Sequence, residues 1–268
     1  MIFLDINIAF ESGGIKGLAY VGVLRYLEER GYRIFKASGC SVGAIFASLA
    51  ISGFKSKEIE MLIEQLKITE ILNVNSFKEG LRGKGINNID RLEKKMSEIL
   101  AKKNVNTFQD LKYGDDYLLK IIVTDNKKKE TVILPNDLIK YNINPDTFKV
   151  SKAIAMSCSI PVVYSQYRLG DHIFVDGGAT YRFPLEIVCD GKRPVLGVKL
   201  FRKRKKIFDF VQNRIYKMKK NQLEGNNIVV LEIEVPDLKA IQFSKGLLRR
   251  NDLYILGYNC IKEKLNIK

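Results

Sequence analysis

The first 52 residues of the chain alternate twice between an apolar strand, a glycine-rich turn and a helix. The first strand is predicted over 3–10 and the first helix over 17–30, where leucine and valine recur every three or four residues. A second strand over 32–37 leads through a glycine turn to a small-residue helix over 44–51. Because strands that alternate with helices form βαβ units, this order predicts an α/β fold with a largely parallel sheet.

The rest of the chain continues this mixture of strands and helices. Residues 54–110 are predicted to be mostly helical, with a break at Gly80, Gly83 and Gly85. Further strands are predicted over 117–124, 131–134, 172–175, 195–200 and 228–234, and further helices over 150–157 and 252–265. Since no repeat, low-complexity tract or linker interrupts the sequence, residues 1–268 are predicted to form a single domain.

Composition excludes several classes of protein. Hydrophobic residues make up 46% of the chain, too many for an intrinsically disordered protein. The four cysteines, at 40, 158, 189 and 260, show no paired spacing, which favours reduced thiols in a cytoplasmic protein. A single histidine and scattered cysteines offer no cluster of ligands, so we expect no metal. No cofactor is expected either.

Two apolar stretches resemble targeting or membrane segments. Residues 1–14 carry Asp5, lack a basic start and lead into a glycine loop, which favours a first strand over a signal peptide. Residues 37–54 are 18 residues without a charge, near the length of a membrane span. Because they include four serines and three glycines, a buried strand, turn and helix is the preferred prediction.

The formal net charge is +15, and basic residues are concentrated in residues 199–220, which hold ten of them and one acid. Apolar residues recur there at helical spacing, at 207, 208, 211, 215 and 218. Such a basic amphipathic helix suits an anionic membrane surface, and packing of its apolar stripe on the protein core is an equally good interpretation. No nucleic-acid motif is present, so we expect no specific nucleic-acid partner.

Three glycine-framed sites carry the candidate chemistry. Residues 12–17 (SGGIKG) lie between a predicted strand and helix, where backbone N–H groups favour negative charge. They match neither the dinucleotide-binding nor the P-loop pattern. Residues 39–43 (GCSVG) form a G-x-S-x-G motif in the same context, which predicts a nucleophile elbow with Ser41 at its apex. Residues 176–178 (DGG) end a predicted strand, and an ordinary turn is the alternative there.

The single histidine bears on which group could activate Ser41. A Ser-His-Asp triad needs an imidazole within hydrogen-bonding reach of the serine. His172 and Asp176 lie on the same predicted strand, about 13 Å apart, so both cannot serve one centre. We expect His172 at a loop edge, and a carboxylate would then have to accept the proton of Ser41.

These residues resemble the patatin-like phospholipases, which are serine lipid acyl hydrolases with a Ser–Asp dyad. SGGIKGLAYVGVLRYLEERGY resembles the family's oxyanion loop and first helix, GCSVGAIFASL its nucleophile elbow, and VDGG its aspartate motif. NTFQDLK, IIVTD and SCSIPVVY are similar to weaker signatures. Ser12 stands where the family usually has glycine, and Cys40 and Val42 where it often has threonine and alanine.

The resemblance implies a three-layer α/β/α fold and assigns roles to particular residues. Ser41 would be the nucleophile and Asp176 the proton acceptor, with an oxyanion hole at Gly13, Gly14 and Ile15. The other motif residues are Ser12, Lys16, Gly17, Gly39, Cys40, Val42, Gly43, Gly177 and Gly178.

The resemblance also implies a substrate class, with alternatives left open. The expected reaction is hydrolysis of carboxylic esters in lipids or phospholipids, of phospholipase A or lysophospholipase type. The expected location is cytoplasmic and peripheral on an anionic membrane, and no protein partner is predicted. The same dyad could serve a soluble esterase, a thioesterase or an acyltransferase. A non-catalytic basic protein that binds membrane or nucleic acid is the alternative from another class.

Overall fold

The computed structural model describes residues 4–65, 89–161, 163–201 and 227–266. The predicted glycine break in residues 80–85 lies outside these ranges, as do residues 202–220 of the predicted basic segment. The strands are β1 (Leu4–Phe10), β2 (Tyr32–Cys40), β3 (Lys112–Tyr113), β4 (Asp116–Tyr117), β5 (Leu119–Asp125), β6 (Glu130–Leu134), β7 (Tyr167–Leu169), β8 (His172–Asp176), β9 (Val195–Phe201) and β10 (Ile228–Glu234). The α-helices are α1 (Ala19–Glu29), α2 (Val42–Ile51), α3 (Ser56–Gln65), α4 (Ile89–Ala101), α5 (Val150–Ser157), α6 (Phe243–Leu248) and α7 (Arg250–Asn266).

Eight of the described strands form one mixed sheet in the order β10-β9-β1-β2-β5-β8-β7, with β6 paired to β5. The pairs from β10 to β5 are parallel, whereas β6, β7 and β8 run antiparallel to their neighbours. Helices flank this sheet, and the predicted α/β class with a mostly parallel sheet is confirmed. All seven residues of β5 are buried, which explains why this strand is so rich in apolar residues.

The core beneath the first glycine loop is built from aromatic rings. Phe10 at the end of β1 packs on Tyr20 of α1, with 4.8 Å between ring centroids, and Tyr20 packs on Phe46 of α2 at 5.4 Å. The Tyr20 hydroxyl donates a 2.7 Å hydrogen bond to the carbonyl of Glu11. These contacts fix both ends of the loop that joins β1 to α1.

The register of β5 decides which strands meet at the candidate site. Residues of β5 between Ile121 and Asp125 all pair with β6, so β2 and β8 share the opposite edge. The parallel strand β2 ends where Cys40 pairs with Ile122, and the antiparallel strand β8 ends where Asp176 pairs with Val123. The carboxyl ends of β2 and β8 therefore meet head-on at adjacent residues of β5.

The structure resolves the uncharged stretch of residues 37–54. It is the end of β2, a turn and all of α2, as predicted. Within the described ranges, no helix is both long and apolar enough to cross a bilayer.

Some elements differ in detail from the sequence predictions. The strand predicted over 117–124 is divided at Leu118, because Asp116 and Tyr117 pair with Lys112 and Tyr113 in a separate hairpin. The three-residue strand β7 is not predicted at all. It pairs with β8 across a two-residue turn at Gly170 and Asp171, and its sequence is too short to show a periodicity.

Candidate active site

Ser41 lies at the sharp turn between β2 and α2. Its backbone adopts φ 56° and ψ −124°, a conformation that is uncommon for a residue with a side chain. A Cβ atom on Gly39 would lie 2.1 Å from the Gly43 carbonyl oxygen, and one on Gly43 would lie 2.4 Å from the Phe10 carbonyl oxygen. Glycine is therefore required on both sides of Ser41 for β1, β2 and α2 to approach this closely, which gives the turn the form of a nucleophile elbow.

Ser157, the last residue of α5, holds the backbone of this turn in place. Its hydroxyl accepts a 2.8 Å hydrogen bond from the Ser41 N–H and donates a 2.6 Å hydrogen bond to the Ile122 carbonyl. Ser157 is fully buried, so these three groups satisfy one another without water. This role is not predictable from the sequence, since nothing local to Ser157 shows that α5 ends against an elbow 116 residues earlier in the chain.

Asp176 is the last residue of β8 and is buried beside Ser41. Its own N–H donates to the Ser159 carbonyl at 3.0 Å, and its Oδ1 accepts a 2.7 Å hydrogen bond from the Gly178 N–H. Burial raises the pKa of Asp176, and the neighbouring Ser41 hydroxyl, the Gly178 N–H and the charge of Arg182 partly offset that rise.

The second oxygen of this carboxylate accepts no hydrogen bond from the described residues. Oδ2 of Asp176 is buried and has no hydrogen bond of normal length and angle with the described residues. The Ser41 hydroxyl is thus close enough to influence the Asp176 pKa, but no closed hydrogen bond joins the two. Long or misaligned contacts of this kind are common in catalytic pairs without substrate.

The loop from Ser12 to Gly17 lies against the elbow. A Cβ on Gly17 would be 2.5 Å from Cγ2 of Val42, the residue that follows Ser41. Residues Gly14–Leu18 form a short 3-10 helix, and within the described ranges neither Gly13 nor Gly14 donates its N–H to a backbone carbonyl. The Ile15 N–H donates a 2.9 Å hydrogen bond to the Ala240 carbonyl. Of the three residues expected to form the oxyanion hole, Gly13 and Gly14 thus have N–H groups available, and Ile15 has its N–H engaged.

Ser12 links the first glycine loop to the aspartate motif. Its N–H donates to the Arg182 carbonyl at 2.9 Å, and its hydroxyl accepts a 3.2 Å hydrogen bond from Arg182 Nε. The departure from the usual glycine therefore brings an added contact to the segment that follows Asp176. Glu11, which the sequence analysis passed over, is buried next to this contact and accepts a 2.8 Å hydrogen bond from the Leu200 N–H. Burial raises the pKa of Glu11, and the charge of Arg182 opposes the rise.

The other reactive side chains, two cysteines and the histidine, are poorly suited to act as nucleophile or base at this site. Burial raises the pKa of the Cys40 and Cys158 thiols well above their ordinary value, which keeps them protonated near neutral pH. His172 begins β8 and Asp176 ends it, so the strand holds the two apart. His172 directly follows the turn at Gly170 and Asp171 and is partly exposed; its Nδ1 lies 3.5 Å from Asp125 Oδ2 and its ring packs on Tyr141.

In the described ranges, no group of three or more histidine, cysteine, aspartate or glutamate side chains could hold a metal ion. Lys16 is buried in the glycine loop and is not a solvated surface lysine. Together, the site offers a strained serine, a buried carboxylate with an open oxygen and two backbone donors. These are the parts that acyl transfer through a serine requires.

Comparison with known proteins identifies relatives of this chain. The family model described as Patatin-like phospholipase matches residues 8–188, which include all three glycine-framed motifs. The uncharacterised protein YqhO of Bacillus subtilis (strain 168) is 36% identical over 205 residues, which are 71% of this chain and 69% of that protein. The probable lipid hydrolase 463L of Invertebrate iridescent virus 6 is 23% identical over 189 residues, or 68% of this chain and 62% of that protein.

The fold is similar to that of VipD from Legionella pneumophila. The TM-score is 0.56 at 18% sequence identity, and the similarity covers 97% of this chain and 67% of VipD. At that identity the similarity concerns the fold alone.

Proposed function

The chain belongs to the patatin-like phospholipase family, and we propose that it is a lipid acyl hydrolase with a Ser41–Asp176 dyad. The reaction is cleavage of a carboxylic ester in a lipid or phospholipid, of phospholipase A or lysophospholipase type. The observation that carries the proposal is the head-on arrangement of β2 and β8, which brings the elbow serine to a buried carboxylate with an open oxygen. A relative that is itself a probable lipid hydrolase supports the substrate class.

In the first half-reaction, Ser41 Oγ attacks the ester carbonyl carbon while Asp176 Oδ2 accepts the hydroxyl proton. The carbonyl oxygen becomes an oxyanion, and the N–H groups of Gly13 and Gly14 stabilise it. One such donor is typically worth about 3–4 kcal/mol of transition-state stabilisation. Asp176 then returns its proton to the leaving alcohol, which departs and leaves the acyl group on Ser41.

In the second half-reaction, a water molecule attacks the acyl-enzyme. Asp176 accepts a proton from the water, the oxyanion forms again at the glycine loop, and the proton passes to Ser41 as the fatty acid leaves. The raised pKa of Asp176 supports this role, because a carboxylate closer in pKa to the working pH is a better base than an ordinary aspartate.

We further propose that residues 1–268 form a single patatin-like domain of a cytoplasmic protein that acts at membrane surfaces. Four free cysteines, two of them buried, support a reducing compartment. A soluble esterase would use the same dyad, and the choice of substrate in the experiment below separates the two.

The test is product analysis by mass spectrometry after incubation with a mixed lipid extract and, in parallel, with a short-chain soluble ester. The wild type is expected to release fatty acids and lysolipids, and Ser41→Ala is expected to release neither. Ser52→Ala is the matched control, since it removes another serine hydroxyl, at the end of α2, that makes no hydrogen bond with the described residues. Equal product from wild type and Ser41→Ala would refute the proposal, and release from soluble esters alone would favour the soluble esterase.

A further inference from the structure

The segment after β10 covers the glycine loop of the candidate active site. The Ala240 carbonyl accepts the hydrogen bond from Ile15, and a Cβ on Gly246 of α6 would lie 2.2 Å from Ile15 Cγ1. Phe243 and Leu247 on the same side of α6 are partly buried against the core. The inner face of α6 therefore rests directly on the proposed oxyanion loop.

The outer face of this segment exposes two large aliphatic side chains. Leu248 is 86% exposed and Ile241 is 48% exposed. On α6, Leu248 comes four residues after Ser244 and three after Lys245, and all three are exposed, so they share the side that faces solvent. A single exposed leucine is ordinary on a protein surface, so its surroundings decide its meaning.

Those surroundings are cationic. Residues 239–250 contain four basic residues and no acid. Lys239 and Lys245 are exposed, and Arg249 and Arg250 are partly buried. Arg249 Nε also lies 3.7 Å from Asp252 Oδ2, which leaves the two lysines and Arg250 as the main cations. Exposed aliphatic side chains in a segment rich in lysine and arginine are typical of a surface that lies on an anionic bilayer, where the aliphatic groups enter the acyl boundary and the cations meet the headgroups.

We propose that residues 239–250, hereafter the 239–250 surface, dock on anionic lipid bilayers through Ile241, Leu248 and the basic side chains around them. This inference rests on the proposed function, since it assigns the membrane contact of a lipid hydrolase to one face. Docking there places the bilayer beside the glycine loop, because the inner side of the same segment contacts Ile15.

The test measures binding to vesicles made of equal parts of phosphatidylcholine and phosphatidylglycerol, by cosedimentation. All variants carry Ser41→Ala, so that the vesicles are not consumed. Leu248→Ser is expected to weaken vesicle binding roughly tenfold, and Ile241→Ser/Leu248→Ser more strongly. Ile139→Ser is the matched control: Ile139 is 69% exposed in the 3-10 helix after β6 and lies outside the 239–250 surface.

A second pair of variants tests the charges. Lys239→Gln/Lys245→Gln is expected to weaken binding by roughly tenfold or more at low salt, and less at high salt. Lys57→Gln/Lys102→Gln removes two exposed lysines of α3 and the turn after α4 and is expected to bind like the parent. Parent-level binding by both the aliphatic and the lysine variants would overturn the inference, as would equal binding to vesicles of phosphatidylcholine alone.

Activity on a soluble ester separates this inference from the proposed function. With Ser41 restored, Leu248→Ser is expected to keep wild-type activity on a short-chain soluble ester and to lose activity on vesicles. If Leu248→Ser hydrolyses vesicles as fast as the wild type, the docking inference fails while the dyad stands. If Ser41→Ala hydrolyses lipid normally, the proposed dyad is wrong, whatever the result of the vesicle-binding measurements.

Discussion

Ser41 and Asp176 are neighbours because the two strands that carry them end at adjacent positions on one edge of β5. Cys40, which precedes Ser41, pairs with Ile122, and Asp176 pairs with Val123. Ser41 and Asp176 are 135 residues apart in sequence, and the pairing of both strands with β5 brings them together. The fold thus holds the two side chains at a fixed spacing, which is what proton transfer from a serine to a carboxylate needs.

Asp176→Asn is expected to lower kcat on a soluble ester by about 10²–10⁴-fold, because an amide cannot accept the Ser41 proton. His172→Ala is the control and is expected to keep most activity, since β8 holds His172 away from Asp176. Steady-state kinetics on both variants, with circular dichroism to verify folding, measure the effect. Loss of activity in folded His172→Ala with activity retained in Asp176→Asn would reverse the assignment of the base.

The pH dependence of activity follows from the burial of Asp176. Asp176 must be ionised to act as a base, and burial raises its pKa. Activity is therefore expected to fall with decreasing pH through a midpoint above the ordinary aspartate value of about 3.9. A pH–rate profile on an uncharged soluble ester measures this midpoint, and a midpoint at or below the ordinary value contradicts the burial argument.

Asp176 is also expected to affect stability. Activity needs its ionised form, whereas the folded state favours its protonated form. Because its folded-state pKa is raised, protonation of Asp176 stabilises the fold; that contribution is complete below the unfolded pKa and is lost as pH rises through the folded pKa. Asp176→Asn, which is neutral at every pH, should therefore raise Tm at neutral pH. The gain should shrink as pH falls toward the ordinary aspartate range. Differential scanning fluorimetry of both proteins across pH measures it, and an unchanged or lower Tm at neutral pH would count against the prediction.

The sequence predicts the parts of the site that are local, and misses those that depend on distant contacts. The elbow at Ser41 and the DGG turn after β8 are recognisable because glycine spacing and strand–helix order lie within a few residues. The antiparallel direction of β8 cannot be recognised from the sequence, since a five-residue strand has the same pattern in either direction. The sequence therefore predicts a more uniformly parallel sheet than the structure contains.

Long-range hydrogen bonds account for the remaining differences at the site. The Ile15 N–H looks available from the sequence, and only the fold shows that Ala240, 225 residues later, accepts it. Ser157 and Glu11 likewise reveal their roles through partners on other elements. In each case the missing information is which backbone group a buried polar atom satisfies, and a single sequence does not contain it.

Ser157→Ala is expected to lower the stability of the fold and to slow the reaction of Ser41, the proposed nucleophile. It leaves the Ser41 N–H and the Ile122 carbonyl without their shared partner, at a cost of about 1–3 kcal/mol for buried unpaired groups. Ser41 loses the contact that fixes its strained backbone, so its labelling by a fluorophosphonate probe should slow roughly tenfold or more, well below Tm. Ser48→Ala is the control, since Ser48 is equally buried and bonds only to Ala44 of its own helix. Equal labelling rates in the two variants would reduce Ser157 to a purely structural residue.

Gly14→Ala is expected to lower kcat sharply through displacement of the proposed oxyanion loop. Gly14 has φ +55°, and a Cβ there would lie 2.2 Å from the Ala240 carbonyl oxygen, so the backbone of one or the other must move. Gly31→Ala is the matched control: Gly31 has φ +74°, but no atom lies within 4 Å of its would-be Cβ. Both variants should lose about 1–2 kcal/mol of stability to the left-handed backbone. Only Gly14→Ala should also lose ~10²-fold or more in kcat, the scale of a lost oxyanion donor. Thermal unfolding and kinetics on a soluble ester separate the two effects, and comparable kcat values for folded Gly14→Ala and Gly31→Ala would show that the contact with Ala240 does not position the loop for catalysis.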